Sequence, residues 1–402
     1  MKKVKFVDLF AGIGGMRLAF ETAATKLNLK TQCVLSSEIN ANSCLVYQQN
    51  FGETPQGDIR NIKKLPPHDV LLAGFPCQPF SSAGKKAGFS DTKGTLFFEI
   101  TRLIDTYKPQ AFIFENVPGL LTNDKGRTIE TIKHEIKKRG YSFDIFWLNS
   151  VNFELPQNRL RVYLIGLLNF APKFNLISDI GPSNSHSCNC EQLSLFHPPR
   201  KTVFSILEEN PNVKYNCSEV FVKALEKKLD GNLSKLNGLR LAVYGNYIHP
   251  WELEPTKCDL TEISLLNKLA KKFNTRWFNK SDLAFICKRQ NVEKLDLLTK
   301  KRYLKKEGEL YKIRGGDFSF ECYKFLDLGG ISVTLTAFGC SKLGIYHRDR
   351  VRRITPREAA RIQGFPDGFS LHPNDKRAYE QLGNAVSINV AEAVAKEVLS
   401  NL

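Results

Sequence analysis

Cys77 lies within the run Gly74, Phe75, Pro76, Cys77, Gln78, Pro79, Phe80 and Ser81. Prolines on both sides stiffen a turn and fix where the thiol points. A lone cysteine is most often a buried apolar residue. One held in a rigid polar turn after an apolar run can be exposed, ionise and act as a nucleophile. Gly12, Gly14 and Gly15 follow the apolar run 4–10, where glycines let the chain turn sharply and a ligand approach closely. Their spacing is not GxGxxG, which weakens a dinucleotide reading. Glu38 ends the next apolar run and could accept hydrogen bonds from ribose hydroxyls; Asp58, after Gly57, could accept from an adenine amino group. Glu115, with Asn116 and Val117, puts a carboxylate at another strand end. Arg159 and Arg161 alternate at the entry to a strand, so both project to one face and offer planar forks of donors. Residues 82–94 set Gly84, Gly88 and Gly94 among Lys85, Lys86 and Lys93, a mobile basic loop able to close over a phosphate backbone. Each feature alone has an ordinary structural explanation, from a solvated carboxylate to surface arginines.

The elements that must position these residues read as strands at 4–10, 33–38, 70–74, 111–115 and 161–168, with a helical pattern at 16–24. Strands separated by helices predict an α/β fold with a parallel sheet, whose ligand-binding residues gather beyond the carboxyl ends of the strands. The segments around Phe10, Glu38, Cys77 and Glu115 all fall there. The character changes near residue 175. Val386, Val390, Val394 and Val398 then form a helical stripe that needs a core, so the chain is expected to return to its first domain.

With 402 residues, 42% of them hydrophobic, the chain can bury a core of one large domain or two. The formal net charge is +17. Residues 195–354 carry 30 basic and 18 acidic side chains and hold most of that excess. Such a balance fits a polyanionic partner without separating nucleic acid from a membrane surface. No stretch approaches a membrane span. Lys5, Asp8 and Arg17 interrupt the first apolar segment, which makes a poor signal peptide. Ten cysteines without a CxxC pair are expected as reduced thiols of a cytoplasmic protein. His186, Cys188, Cys190 and His197 match no common zinc spacing, so no metal is expected.

Taken in order, these segments resemble the DNA (cytosine-5)-methyltransferase family in its bacterial restriction–modification form. The matches are residues 8–15, 74–81, 115–117 and 157–161, then 353–358, 363–366 and 381–386, with Ala385 where the family usually has Ser. They cover roughly residues 1–168 and 330–402. The resemblance implies a Rossmann-like S-adenosyl-L-methionine-dependent methyltransferase sheet with a smaller DNA-recognition domain. The boundaries expected are 1–180 plus 381–402 for catalysis, 181–350 for target recognition and 351–380 as connector. It implies Cys77 as the nucleophile toward C6 of a flipped cytosine, Glu115 at N3, and Arg159 and Arg161 orienting the base. Phe10, Gly12, Gly14, Glu38, Asp58, Ile59, Pro76, Leu96, Asn384 and Val386 would form the cofactor site. Gln78, Ser81, Lys85 and Lys86 would contact DNA. A monomer acting on double-stranded DNA, with a possible cognate restriction endonuclease, is expected.

Methylation of transfer RNA cytosine is the runner-up, because a relative of this family modifies transfer RNA; the basic insertion favours groove reading of DNA. A catalytically silent DNA binder would leave Cys77, Glu115, Arg159 and Arg161 without purpose. A nicotinamide-dependent oxidoreductase would leave Cys77 and the basic excess unexplained.

Overall fold

Strand β1, Lys3–Leu9, alternates exposed and buried side chains at first and is wholly buried by its end, as befits a strand entering the middle of a sheet. The computed structural model describes residues 3–76, 95–169, 174–176, 178, 201–241, 259–273, 276–283, 293–301, 303–313 and 321–402. These divide into two compact units: Met1–Leu207 with Ile331–Cys340 and Pro356–Leu402, and Glu208–Gly330 with Ser341–Thr355. The stretch 351–380, read as a connector, is therefore divided at Thr355, and Pro356 onward belongs to the first unit.

In the first unit β1 is followed by α1 (Gly15–Lys26), β2 (Lys30–Ser37), α2 (Ala41–Phe51) and β3 (Val70–Ala73). Then come α3 (Thr95–Tyr107), β4 (Ala111–Asn116), α4 (Gly119–Thr122), α5 (Arg127–Lys138), β5 (Tyr141–Asn149) and β6 (Leu160–Leu168). The sheet order is β2-β1-β3-β4-β6-β5. β1 pairs in parallel with β2 and β3, and β3 with β4, whereas β6 runs antiparallel to both β4 and β5. The sheet is thus mixed rather than all-parallel. β5 is the strand the sequence pattern did not reveal: at the sheet edge it keeps Ser142 and Asp144 exposed, which breaks the apolar signal.

Successive side chains of β1 point to opposite faces. Val7 and Leu9 join a core with Phe112 and Phe114 of β4, Ile100 and Leu103 of α3, and Ile132 of α5. Phe6 faces the other way and packs on Phe20 of α1, ring centroids 4.8 Å apart. The second unit has two apolar clusters. One joins α6 (Glu219–Lys228) through Phe221 and Leu225 to Phe325 of β9 (Lys324–Phe325). The other joins Leu265 and Leu269 of α7 (Leu260–Phe273) and Leu295 of α8 (Lys294–Lys300) to Tyr311 on the antiparallel pair β7 (Leu304–Glu307) and β8 (Leu310–Ile313). β10 (Leu343–His347) and β11 (Arg350–Arg353) form a hairpin whose two-residue turn, Arg348 and Asp349, has positive φ at both positions.

The chain then returns to the first unit as α9 (Pro356–Ile362), α10 (Asp375–Asn384) and α11 (Ile388–Ser400). The valine stripe is realised there. Val390, Val394 and Val398 are buried on α11, which packs on α1, while Val386 lies in the turn before it.

Gly166 of β6 lies opposite Phe112, whose ring occupies the place of a side chain: a Cβ at 166 would sit 2.2 Å from it. Phe112 is itself stacked on Phe114 at 4.4 Å and has little room to retreat. Gly166→Ala should therefore destabilise the fold by about 1–3 kcal/mol, read as a lower urea midpoint at unchanged slope. An unaltered midpoint would mean that the ring yields freely.

Candidate active site

The turn after β1 is built by three positive-φ residues, Phe10 (φ 56°), Gly12 (57°) and Gly14 (89°). Only glycine adopts this region without cost, so a left-handed Phe10 is a strained residue held by its surroundings. Two backbone contacts hold the turn to the end of β2: Ala11 N–H donates to Ser37 O (2.9 Å), and Gly12 N–H donates to Glu38 Oε2 (2.9 Å). The other carboxylate oxygen of Glu38 accepts from Asn40 N–H at 2.7 Å. Glu38 thus clamps the glycine turn to the start of α2, where Asn40 caps the helix by accepting from Asn42 and Ser43 N–H. Gly14 is required by packing, since a Cβ there would lie 2.1 Å from the Phe51 ring.

Above the turn opens a cleft. Of the residues read as a cofactor site, Phe10, Gly12, Asn384 and Val386 line it, as does Glu115, whereas Gly14 and Glu38 do not. Asn40, Asn42, Ser43, Arg377, Glu380 and Gln381 also line it and had not been anticipated. The capping pattern of Asn40 and the helical spacing 377, 380, 381 and 384 were readable, but nothing local says that these faces meet a cavity. Of the other expected cofactor residues, Asp58 caps the turn Ile59–Asn61 and pairs with Arg60. The Ile59 side chain is buried in the core, which leaves only its backbone to offer a ligand. Pro76 is exposed, and Leu96 packs half-buried against the core. Cys77, Gln78, Ser81, Lys85 and Lys86 lie outside the described residues, as do His186, Cys188, Cys190 and His197. Among the described residues no group of three or more His, Cys, Asp or Glu could hold a metal ion.

Glu115, one residue before the end of β4, is partly buried, with Arg161 Nε 3.2 Å from its Oε1. Burial pushes its carboxyl above the usual range against the opposing charges of Arg161 and Arg159. Asn116 beside it is buried and donates from Nδ2 to Phe75 O at 3.0 Å. This bond ties the end of β4 to the chain two residues before Cys77.

The two arginines do different things. Arg161 faces Glu115. Arg159 is buried, and its guanidinium donates to Leu335 O (2.7 Å), Gly383 O (3.3 Å) and Ala385 O (2.7 Å). Burial, with Arg161 adding to it, brings Arg159 down to about 9. Gln157 is also buried. It donates to Gln363 Oε1 (3.0 Å) and accepts from Leu335 N–H (2.9 Å), while Gln363 donates to Leu382 O (2.8 Å). These polar side chains bind the returning segments 331–340 and 356–386 to β6. Gly383 permits this closeness: a Cβ there would stand 2.3 Å from Ala337 N.

Beneath the turn, Asp8 is fully buried and neither carboxylate oxygen has a hydrogen-bond partner among the described residues. Burial pushes it up to about 8 against the pull of Arg17, which donates to Tyr47 at 3.0 Å.

The family model for C-5 cytosine-specific DNA methylase matches residues 4–400. The chain is 48% identical to Type II methyltransferase M.BanI of Aneurinibacillus aneurinilyticus, over 99% of this chain and 96% of that protein. It is 45% identical to Type II methyltransferase M.HgiCI of Herpetosiphon aurantiacus, over 99% and 98%. Among solved structures, the S. pombe Dnmt2 methyltransferase is similar in fold, with a TM-score of 0.59, 17% identity and 99% of each chain covered.

The raised Asp8 carboxyl has a signed consequence. The folded state keeps a proton that the unfolded chain loses near pH 3.8, so stability falls as pH climbs toward about 8. Asp8→Asn should gain stability relative to the native chain across that window and level off above it. Denaturant unfolding between about pH 5 and pH 9 measures this, and a constant difference would mean that the carboxylate has an ionic partner in the fold.

Proposed function

The chain belongs to the C-5 cytosine-specific DNA methylase family and is a DNA (cytosine-5)-methyltransferase, and we propose on that premise that it methylates a flipped cytosine through Cys77 with S-adenosyl-L-methionine as donor. The observation that carries this reading is that Glu115, paired with Arg161, lines the same cleft as the glycine turn. The cleft fits the donor. Phe10, which lines it, offers an aromatic face, and the Glu38 carboxylate behind the turn retains lone pairs for ribose hydroxyls. When bound, S-adenosyl-L-methionine supplies an electrophilic methyl group on sulfur.

Cytosine C5 is a poor nucleophile. The Cys77 thiolate bonds to C6, and the C5–C6 electron pair moves so that C5 becomes enamine-like. Glu115 donates its proton to N3 and offsets the charge that develops in the ring. Arg161 orients Glu115 and the base edge; Arg159, whose guanidinium is spent on three carbonyls, acts as a positioning residue. Once C5 carries the methyl group, with S-adenosylhomocysteine as the leaving thioether, C5 gives its proton to water, the S–C6 bond breaks to release the Cys77 thiolate, and N3 returns its proton to Glu115. C6 is inaccessible within a duplex, so the base is flipped out at a cost of a few kcal/mol. Phosphate contacts by the loop 80–95, with Gln78, Ser81, Lys85 and Lys86, would offset that cost.

The second unit is proposed as the target-recognition domain, because the basic excess lies mainly within it. The type II names of its relatives support a place in a restriction–modification system, with a cognate endonuclease acting at the same site. A bacterial cytoplasm suits such a substrate, and no helix among the described residues is long and apolar enough to cross a membrane.

Cys77→Ala should abolish methyl transfer to duplex DNA, and the covalent adduct with 5-fluorocytosine DNA, while cofactor binding persists. Near-native turnover would remove Cys77 from the mechanism, and turnover on transfer RNA but not on duplex DNA would favour the RNA reading. Raising salt from about 50 to 200 mM should weaken DNA binding roughly a thousandfold or more, because binding releases counterions. A flat response in a fluorescence-anisotropy titration would argue against the basic unit as the contact surface.

A further inference from the structure

Helix α10 turns one polar stripe toward the cleft. Arg377, Glu380, Gln381 and Asn384 recur at i, i+3, i+4 and i+7 and all line it, while Ala378, Tyr379 and Leu382 are buried. The rotation of the helix is set from behind, by Arg159 and Gln363 holding the carbonyls of Gly383 and Leu382 and by the close approach of Gly383 to residues 336 and 337. The stripe therefore cannot swing away from the cleft. Asn384 was foreseen there; the charged pair Arg377 and Glu380 has no part in the chemistry derived above. Its Nη1 and Oε2 are 2.9 Å apart, with side chains 48% and 39% exposed. On an open helix surface such an i,i+3 pair contributes little. Here two opposite charges face a cavity that must hold a charged ligand.

The proposed donor is a three-armed sulfonium, and the residues lining the cleft offer different chemistry to each arm. The methyl arm must reach the corner of Gly74 and Glu115, where the base is held. The adenosyl arm has an aromatic ring and ribose hydroxyls, which suit Phe10 and Asn40 in the lining, with the carboxylate of Glu38 behind Gly12 and Asn40. The third arm ends in an α-ammonium and an α-carboxylate, and the remaining wall is α10. A guanidinium binds a carboxylate through its fork, and a carboxylate accepts from an ammonium. We propose that Arg377 and Glu380 form the subsite for the zwitterionic amino-acid arm of the donor, Arg377 holding the carboxylate and Glu380 the ammonium. In the free protein the two neutralise each other; on binding, one ion pair is exchanged for two. The subsite selects a ligand that carries the complete amino acid over a nucleoside thioether that lacks it.

This inference rests on S-adenosyl-L-methionine being the donor, and the test separates the two ideas. Equilibrium binding to the full chain is measured by calorimetry with S-adenosylhomocysteine, which has the arm, and with 5′-methylthioadenosine, which does not. Arg377→Gln and Glu380→Gln should each weaken S-adenosylhomocysteine roughly tenfold and leave 5′-methylthioadenosine within about twofold. Arg377→Lys, which keeps the charge without the fork, should fall between Arg377→Gln and the native chain and guards against a folding effect. Equal losses for both ligands, or none for either, would overturn the subsite while leaving the donor reading intact. Failure of the native chain to bind S-adenosylhomocysteine at all would overturn the donor reading, and the subsite with it.

Discussion

The first unit depends on one buried guanidinium. Arg159 is nearly inaccessible to water and, among the described residues, has no carboxylate within hydrogen-bonding reach; three backbone carbonyls from two separate returning segments satisfy most of its donors. A buried charge left without partners costs several kcal/mol, so those carbonyls have little freedom to be elsewhere. Gln157 and Gln363 repeat the device with neutral amides, each bonding backbone of a distant segment. Together they fix residues 335 and 382–385 against β6, and the wall formed by α10 inherits its position from them.

The opposite wall is governed by a carboxylate. Glu38 binds the backbone N–H groups of Gly12 and Asn40, so the glycine turn and the start of α2 are located by the same side chain. The strained Phe10 follows from this. A chain held by Ser37 O and Glu38 on one side has to turn left-handed to enter α1. Two polar clamps, one cationic and one anionic, thus set the two sides of a cleft whose floor is the sheet.

Catalytic tuning is a by-product of the same architecture. Glu115 lies where β4 emerges from the buried part of the sheet, so desolvation raises its carboxyl even with Arg161 in contact. Asn116 extends that order into the neighbouring segment through Phe75 O. The antiparallel β6 is what makes the pairing possible. Running against β4, it brings Arg161 at its start to the end of β4 that carries Glu115, which an all-parallel strand at that position would not do.

Much of the chemistry is local in the chain and was therefore legible in it. The proline-flanked cysteine, the glycine turn, the carboxylates at strand ends and the alternating arginines are short patterns whose residue types already limit what they can do. Most strands of the sheet were legible as well, because buried strands are continuous apolar runs. β5 was not, since an edge strand mixes polar and apolar residues, and neither was the antiparallel direction of β6, which depends on pairing between distant segments. Equally hidden was the division of labour between Arg159 and Arg161. Alternation puts both on one face, but only the return of residues 331–386 surrounds one with carbonyls and leaves the other beside a carboxylate. Sequence alone determined which reactive groups the chain possesses and at which strand ends they stand; tertiary structure decided which of them meet, because burial and long-range contact depend on segments more than a hundred residues apart.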